Sequence, residues 1–182
     1  VEKLTESPDS EHPVGLVTLL EGCEYLRSFD DLELYYERGI RLIGPVWAGG
    51  RWCAGTKSVS MKDALTDEGK TLLRRMSPLD YILDVSHMKN HSAMDAMNYY
   101  DGVVVASHVN CNALLPDFPH ERHFNDETIK MLIEHDGVMG VIPYNAFLSA
   151  AWKRGNPREL ITLETLANHI DHICQLAGHS RT

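Results

Sequence analysis

Three side chains that commonly bind metal ions stand at the ends of short apolar segments in this sequence of 182 residues. Glu21 ends the segment GLVTLLE, whereas His87 and His108 each follow a serine, in the sequences DVSH and ASH. Carboxylate oxygens and neutral imidazole nitrogens are typical zinc ligands. Because a carboxylate has two oxygens, Glu21 could bridge two metal ions while His87 and His108 complete the coordination of one of them. Such a pair of ions would polarise a carbonyl group and lower the pKa of a bridging water.

The same residues also have a simpler interpretation. A single histidine at the end of a strand is more often a hydrogen-bonded loop residue than a metal ligand. Two histidines at the ends of consecutive segments, with a glutamate at an earlier one, favour a shared site. Spacing alone leaves both interpretations open.

Alternating strands and helices are predicted to position these side chains. Short segments rich in Val, Ile and Leu are typical of buried parallel strands, and helical patterns lie between them. Repeated β-then-α units indicate a parallel sheet with right-handed crossovers. In a β/α barrel the C-terminal ends of the strands meet at one mouth, where catalytic groups lie. The predicted strands are 15–21, 39–46, 81–86, 102–107 and 137–143, and the predicted helices are 31–38, 66–76, 91–100, 126–135 and 161–177.

Local signals support the predicted helix ends. Thr66 and Thr162 stand at the start of predicted helices and Asn125 directly precedes one, as N-cap residues do, and Gly178 follows the last one, as C-terminal glycines do. Asn90 is also expected to cap a helix. The loop 48–64 is long and rich in glycine, which indicates a cover for an active site.

Composition limits the classes of function. A chain with 43% hydrophobic residues can bury a core, and its size suggests one domain. The 17 basic and 26 acidic residues give a net charge of −9, which argues against a nucleic-acid surface. No apolar segment reaches the roughly 20 residues that span a bilayer. The four cysteines form no CxxC pair and are expected to be reduced and mostly buried: Cys23, Cys53, Cys111 and Cys174.

Longer stretches resemble the membrane (renal) dipeptidase family of zinc-dependent peptidases in order and spacing. The resemblance extends from Gly15 to Gly178 and implies an α/β fold of the amidohydrolase-like kind. It implies a partial TIM-type (β/α)8 barrel with about five of eight strands. It also implies two zinc ions and hydrolysis of the peptide bond of a small dipeptide. The stretches are LLEG, GIRLIGPVW, LTDEGKTLLRRM, ILDVSHM, VVVASHVNCNAL, ERHFNDETIKML, GVMGVIPYNAFL and HIDHICQLAG.

The resemblance implies roles for individual residues. Glu21 corresponds to the carboxylate that bridges the two zinc ions, and His87 and His108 to the histidines that complete the second zinc site. Arg122 corresponds to the arginine that binds the substrate carboxylate, for which a planar guanidinium is suited. Its simpler interpretation is a surface arginine that caps the following helix. Tyr144 stands where a pocket tyrosine is expected, with ordinary packing as the alternative.

The sequence also departs from the family pattern. Trp47 stands where renal-type members carry a histidine that contacts the substrate; indole can stack and donate one hydrogen bond but cannot titrate near neutrality. The first-strand HxD pair and the last-strand acid of the family are not found between Val1 and Thr182. We therefore expect residues 1–182 to be a single catalytic-barrel segment that lacks the first and last strands of the full domain.

Several alternatives remain at this stage. The same ligands would serve a related barrel hydrolase of another amide or a lactone, and the chain could be a non-catalytic barrel that has lost its first metal site. A cytoplasmic location and a homodimer are expected. His169 and His172 on the last predicted helix are expected to be solvated, and His120 and His123 to line a loop.

Overall fold

Five parallel strands form one sheet. The computed structural model describes residues 15–57 and 64–178. The strands lie side by side in chain order, and every neighbouring pair is parallel. This order is the one found in a β/α barrel, in which each strand pairs with the next along the chain. The strands are β1 (Thr18–Glu21), β2 (Ile40–Gly44), β3 (Ile82–Asp84), β4 (Val104–Ala106) and β5 (Val138–Met139).

A helix lies in each connection between consecutive strands, and two more follow β5. All five predicted strands and all five predicted helices are present. The strands are shorter than predicted because the apolar segments extend beyond the paired positions at one end or both. The helices are α1 (Asp31–Glu37), α2 (Asp67–Met76), α3 (Asn90–Tyr99), α4 (Asp126–Glu134), α5 (Asn145–Leu148) and α6 (Leu163–Ala177).

Three helices begin at the predicted caps. The side chains of Thr66, Asn125 and Thr162 accept hydrogen bonds from backbone nitrogens in the first turns of α2, α4 and α6. Gly178 ends α6 with a φ of 70°, a left-handed conformation that glycine adopts without strain. The expectation that Asn90 caps its own helix is wrong. Lys89 is the N-cap of α3, and the Asn90 side chain instead accepts hydrogen bonds from the start of α4.

The core lies between the sheet and the helices. Ile43 and Leu83, on neighbouring strands, are buried together with Leu72, Leu73 and Met76 of α2. Three of the four cysteines, Cys23, Cys53 and Cys111, are buried, as predicted, and Cys174 is half-buried. Burial from water raises the pKa of both the Cys23 and the Cys111 thiols to about 12. These thiols are therefore part of the packing rather than reactive groups.

The long loop after β2 returns to the side of the sheet where the C-terminal end of β3 lies. Cys53 and Leu65 form an antiparallel bridge, and Gly55 forms another with Met88. The middle of this loop, 58–63, lies outside the described residues, so its role as a cover stays a prediction. No helix in the described part of the chain is both long and apolar enough to cross a bilayer.

Candidate metal centre

The structure brings Glu21, His87 and His108 together at the C-terminal edge of the sheet. Glu21 is the last residue of β1, and the two histidines follow β3 and β4 by three and two residues. A Glu21 carboxylate oxygen, Oε1, lies 2.7 Å from Nε2 of His87 and 2.9 Å from Nε2 of His108. The two Nε2 atoms are 2.9 Å apart. Three potential ligand atoms therefore face one another, and among the described residues they form a group that could hold a metal ion.

A sharp turn after β1 sets the position of Glu21. Gly22 has a φ of 82°, and its backbone nitrogen donates a hydrogen bond of 3.0 Å to the carbonyl oxygen of Gly44 on β2. A Cβ atom at position 22 would lie 2.9 Å from Cβ of Trp47. Only glycine combines this backbone conformation with so close an approach. The turn leaves the Glu21 side chain at the open edge of the sheet.

His87 has an unusual backbone conformation that the neighbouring loop supports. Its φ is 66°, in the left-handed region that costs a residue with a side chain about 1–2 kcal/mol. The backbone nitrogen and the hydroxyl of Thr56 both donate hydrogen bonds to the His87 carbonyl oxygen, at 2.9 and 3.0 Å. Strain of this kind persists where surrounding contacts hold it, often at functional sites. Thr56 thus helps to aim the His87 ring at Glu21.

Electrostatics keep the His87 ring neutral. Burial and the positive charge of Arg122 lower its pKa to about 4, against the opposing effect of its hydrogen bond to Glu21. A neutral imidazole is the form that can bind a metal ion. The site therefore offers a nitrogen lone pair at neutral pH.

The structure adds Asp84, which the sequence interpretation did not assign. This residue ends β3 and is only 1% exposed. Its carboxylate accepts hydrogen bonds from the backbone nitrogens of Ser86 and Ser107 and from the Ser107 hydroxyl. The signal in the sequence was an acidic residue within an otherwise apolar strand, three positions before His87.

Arg122 lies under the site rather than on the surface. It is 3% exposed, and its Nη2 donates a hydrogen bond of 2.7 Å to the carbonyl oxygen of His108. Burial lowers its pKa to about 10, against the opposing charges of Asp84 and Glu21. The Nε and Nη1 atoms are buried without a hydrogen-bond partner among the described residues. The alternative of a surface arginine that caps α4 is wrong, because Asn125 supplies that cap.

Two aromatic residues predicted for the pocket lie in different surroundings. Trp47 is 51% exposed, and its ring centroid lies 5.9 Å from that of His87. The ring centroid of Tyr144 lies 5.1 Å from that of Phe147 and 6.4 Å from that of Trp152. Phe147 in turn lies 5.5 Å from the guanidinium of Arg122. Trp47 therefore lies beside the three potential ligand atoms. Tyr144 packs on Phe147, and it is Phe147 that lies against Arg122.

The expectation that His169 is solvated is wrong. Its side chain is buried, and its Nδ1 accepts a hydrogen bond of 3.2 Å from the backbone nitrogen of Cys111. His172 is half-buried and lies 2.8 Å from a carboxylate oxygen of Asp126. Both findings follow from the packing of α6 against α4. His123 is also buried, and its Nδ1 accepts from the backbone nitrogen of Asn110.

Comparison with known families assigns the chain to one of them. The profile of the membrane dipeptidases, peptidase family M19, matches residues 4–181. The chain belongs to this family. The resemblance seen in the sequence is therefore confirmed. A solved member of family M19, 27% identical over 89% of this chain, is described as a metallo peptidase, and Glu21, His87 and His108 form a group among the described residues that could hold a metal ion.

Individual relatives agree with this assignment. The chain is 31% identical over 154 residues to an uncharacterized protein in the pqqA 5′ region of Klebsiella pneumoniae, which covers 81% of the chain and 55% of that protein. It is 28% identical over 173 residues to an uncharacterized dipeptidase of Schizosaccharomyces pombe, covering 90% of the chain and 39% of the relative. The chain thus spans about half the length, or less, of these relatives.

A solved structure confirms the fold class. The chain is similar to a metallo peptidase from Rhodobacter sphaeroides that was crystallised with a phosphinate mimic of the dipeptide L-Ala-D-Ala. The TM-score is 0.74 with 27% sequence identity, over 89% of this chain and 46% of that chain. The five-stranded sheet is therefore part of the α/β barrel of this family.

Proposed function

We propose that the protein is a zinc-dependent dipeptidase in which Glu21, His87 and His108 are metal ligands. The observation that carries this proposal is the close approach of one carboxylate oxygen and two imidazole nitrogens, each 2.7–2.9 Å from the others. Two imidazole nitrogens that face each other at this distance need a proton or a cation between them. The neutral His87 and the carboxylate of Glu21 form a donor set that fits zinc.

The proposal includes two zinc ions, with Glu21 as the residue they share. When bound, zinc supplies a Lewis acid that lowers the pKa of water and polarises a carbonyl group. Glu21 has a second carboxylate oxygen available for this sharing, and its side chain is 44% exposed. His87 and His108 contribute their Nε2 atoms to one of the two positions. His87 is oriented through Thr56, and His108 through the residues that hold its main chain.

Arg122 is proposed to bind the carboxylate of the substrate. Buried donors without partners cost about 1–3 kcal/mol each. Nε and Nη1 of Arg122 are two such donors in the described structure, and because both are closed off from solvent, a carboxylate reaches them only after the residues around Arg122 move. A planar guanidinium matches a carboxylate with two parallel hydrogen bonds. Every unmodified dipeptide ends in a carboxylate. The relative crystallised with a dipeptide mimic supports the same class of substrate.

Trp47 and Tyr144 are proposed to contact the substrate as aromatic walls. The half-exposed indole of Trp47 lies beside His87 and can stack on a substrate group. Because indole does not titrate near neutrality, position 47 would contribute contact and exclusion of water rather than proton transfer. Tyr144 would lie at the edge of the pocket, where its ring packs on Phe147.

Metal content and peptide hydrolysis of the full-length protein test the proposal together. We expect at least one zinc per chain after gentle purification, and hydrolysis of unmodified dipeptides in preference to lactones. The double variant His87→Ala, His108→Ala should lose zinc and activity. His91→Ala, at an exposed histidine of α3, is the matched control and should keep both. Unchanged zinc content in the double variant would reject the proposal, and preferential hydrolysis of a lactone would favour the related barrel hydrolase.

A cytoplasmic location and a homodimer are also part of the proposal. Free thiols at all four cysteines are usual in a reducing compartment. Light scattering coupled to gel filtration tests the dimer: a monomer mass at micromolar concentration would contradict it. Cell fractionation tests the compartment.

A further inference from the structure

Asp84 is a buried carboxylate beside the proposed metal ligands. None of the roles proposed for those ligands accounts for its position. One oxygen accepts from the backbone nitrogens of Ser86 at 3.0 Å and Ser107 at 3.1 Å. The other accepts from the Ser107 hydroxyl at 2.5 Å. A charge removed from water is costly unless hydrogen bonds replace its hydration, and three donors do so here.

The Ser107 hydroxyl connects Asp84 to His108. Its oxygen lies 2.6 Å from Nδ1 of His108. A hydroxyl has one proton, and in Ser107 that proton is donated to Asp84, which as a carboxylate can only accept. The Ser107 oxygen therefore accepts a hydrogen bond from Nδ1 of His108. This chain of hydrogen bonds favours a ring proton on Nδ1 of His108, and with a cation bound between Nε2 and Glu21 the lone pair of Nε2 is used for binding.

The lone pair of Nε2 points to the proposed metal site. Nε2 of His108 is the atom that lies 2.9 Å from both Glu21 and His87. The main chain of His108 is held as well, because its nitrogen donates to Ser86 Oγ at 3.1 Å and its carbonyl oxygen accepts from Arg122. Backbone contacts alone leave the ring free to rotate and to exchange tautomers. Glu21 and His87 contact Nε2, the atom proposed to bind the metal ion, and Ser107 contacts the other ring nitrogen, Nδ1.

We propose that Asp84, acting through Ser107, is a positioning residue that fixes the tautomer and ring orientation of His108 for metal binding. Metal-binding histidines commonly donate their other ring nitrogen to a carboxylate or a carbonyl oxygen. Here a serine hydroxyl stands between the histidine and the carboxylate. The proposal rests on the proposed function, since it requires His108 to be a ligand.

Zinc affinity, measured by chelator competition at fixed pH on the full-length protein, tests the proposal. We expect Ser107→Ala and Asp84→Asn to weaken zinc binding by roughly 10- to 100-fold, the usual effect of removing such partners. Ser107→Thr keeps a hydroxyl and should restore affinity to within a few-fold of the natural protein. Ser92→Ala is the matched control, because it removes a serine hydroxyl that is buried in α3 and has no partner among the described residues.

The tautomer itself provides a second measurement. In metal-free Glu21→Ala protein with 15N-labelled histidine, where no carboxylate competes for a proton on Nε2, the signal that disappears on further replacement of His108 by alanine should report a proton on Nδ1, and the serine variants are compared in the same background. In Ser107→Ala the same ring should show a mixture of tautomers, whereas in Ser92→Ala it should be unchanged. A loss of packing alone would not alter the tautomer. The melting temperature of metal-free Ser107→Ala, compared with that of Ser92→Ala, shows how much folding is affected.

His108→Ala separates the two proposals. If His108→Ala loses zinc and Ser107→Ala binds it as tightly as the natural protein, the positioning role is overturned and the metal site stands. The role is also overturned if Ser107→Thr binds zinc as weakly as Ser107→Ala. If His108→Ala itself binds zinc normally, the proposed function fails, and the positioning role fails with it.

Discussion

Nη2 of Arg122 donates a hydrogen bond of 2.7 Å to the carbonyl oxygen of His108. One buried side chain therefore supports the main chain of a proposed metal ligand while two of its nitrogens, Nε and Nη1, have no partner among the described residues. This links the position of the proposed substrate carboxylate to the position of the proposed metal ion.

Replacement of Arg122 by lysine should reveal its role in binding. Lysine keeps the charge but loses the paired donors. Hydrogen bonds to charged groups contribute about 1.5–3 kcal/mol, so we expect KM for a dipeptide to rise roughly 10- to 100-fold with a smaller change in kcat. Steady-state kinetics measure this. Arg75→Lys, at an exposed arginine of α2, is the control. Equal losses for a dipeptide and for its C-terminal amide would show that Arg122 does not bind the carboxylate.

Loss of the Thr56 hydroxyl should weaken the support of the His87 backbone. Thr56→Val removes one of the two hydrogen bonds that support the left-handed backbone of His87 and keeps the one from the backbone nitrogen. We expect a loss of about 1 kcal/mol in the free energy of unfolding and a few-fold weaker zinc affinity. Thr71→Val removes a comparable hydroxyl from α2 and should affect stability only. Equal zinc affinities in the two variants would argue against a role for Thr56 at the site.

Acid should destabilise the protein through His123. Burial, with the nearby charges of Arg122 and His169, lowers the pKa of His123 to about 3. An unfolded histidine titrates near about 6.5, so below that pH the unfolded chain binds more protons. The free energy of unfolding therefore falls as the pH drops from about 6.5 towards 3. Urea unfolding of metal-free His123→Asn should show a shallower fall over this range than the natural protein or the exposed-site control His91→Asn. If the free energy of unfolding falls equally in the natural protein and in both variants, His123 is not the group responsible.

The fold was largely predictable from the sequence. The strands are apolar because parallel strands are covered on both faces, and Thr66, Asn125 and Thr162 mark helix starts through short-range hydrogen bonds. The convergence of Glu21, His87 and His108 also follows, since the ends of parallel strands share one edge.

Other features depend on contacts between distant parts of the chain. Asn90 bonds to α4 rather than to its own helix, and His169 is buried because α6 packs on α4. The left-handed backbone of His87 has no signal in the sequence, because histidine does not mark that conformation as glycine does. Asp84 was visible as an acid in an apolar strand, but its partner Ser107 is 23 residues away.

The thiols should differ sharply in reactivity. Cys23, Cys53 and Cys111 are buried, and burial raises the pKa of each, whereas Cys174 is half-buried. Because the thiolate is the reactive form, a thiol reagent at pH 8 should label the native protein at Cys174 only. The Cys174→Ser variant should then react with the reagent only after denaturation. Rapid labelling of several thiols in the native protein would contradict the described packing.

Diffraction at the zinc absorption edge tests the central claim most directly. Crystals of the active full-length protein should show an anomalous peak within about 2.0–2.2 Å of Glu21 and of Nε2 of both His87 and His108, the usual distances for these ligands. A zinc peak bound elsewhere, with no density among these three side chains, would contradict the account.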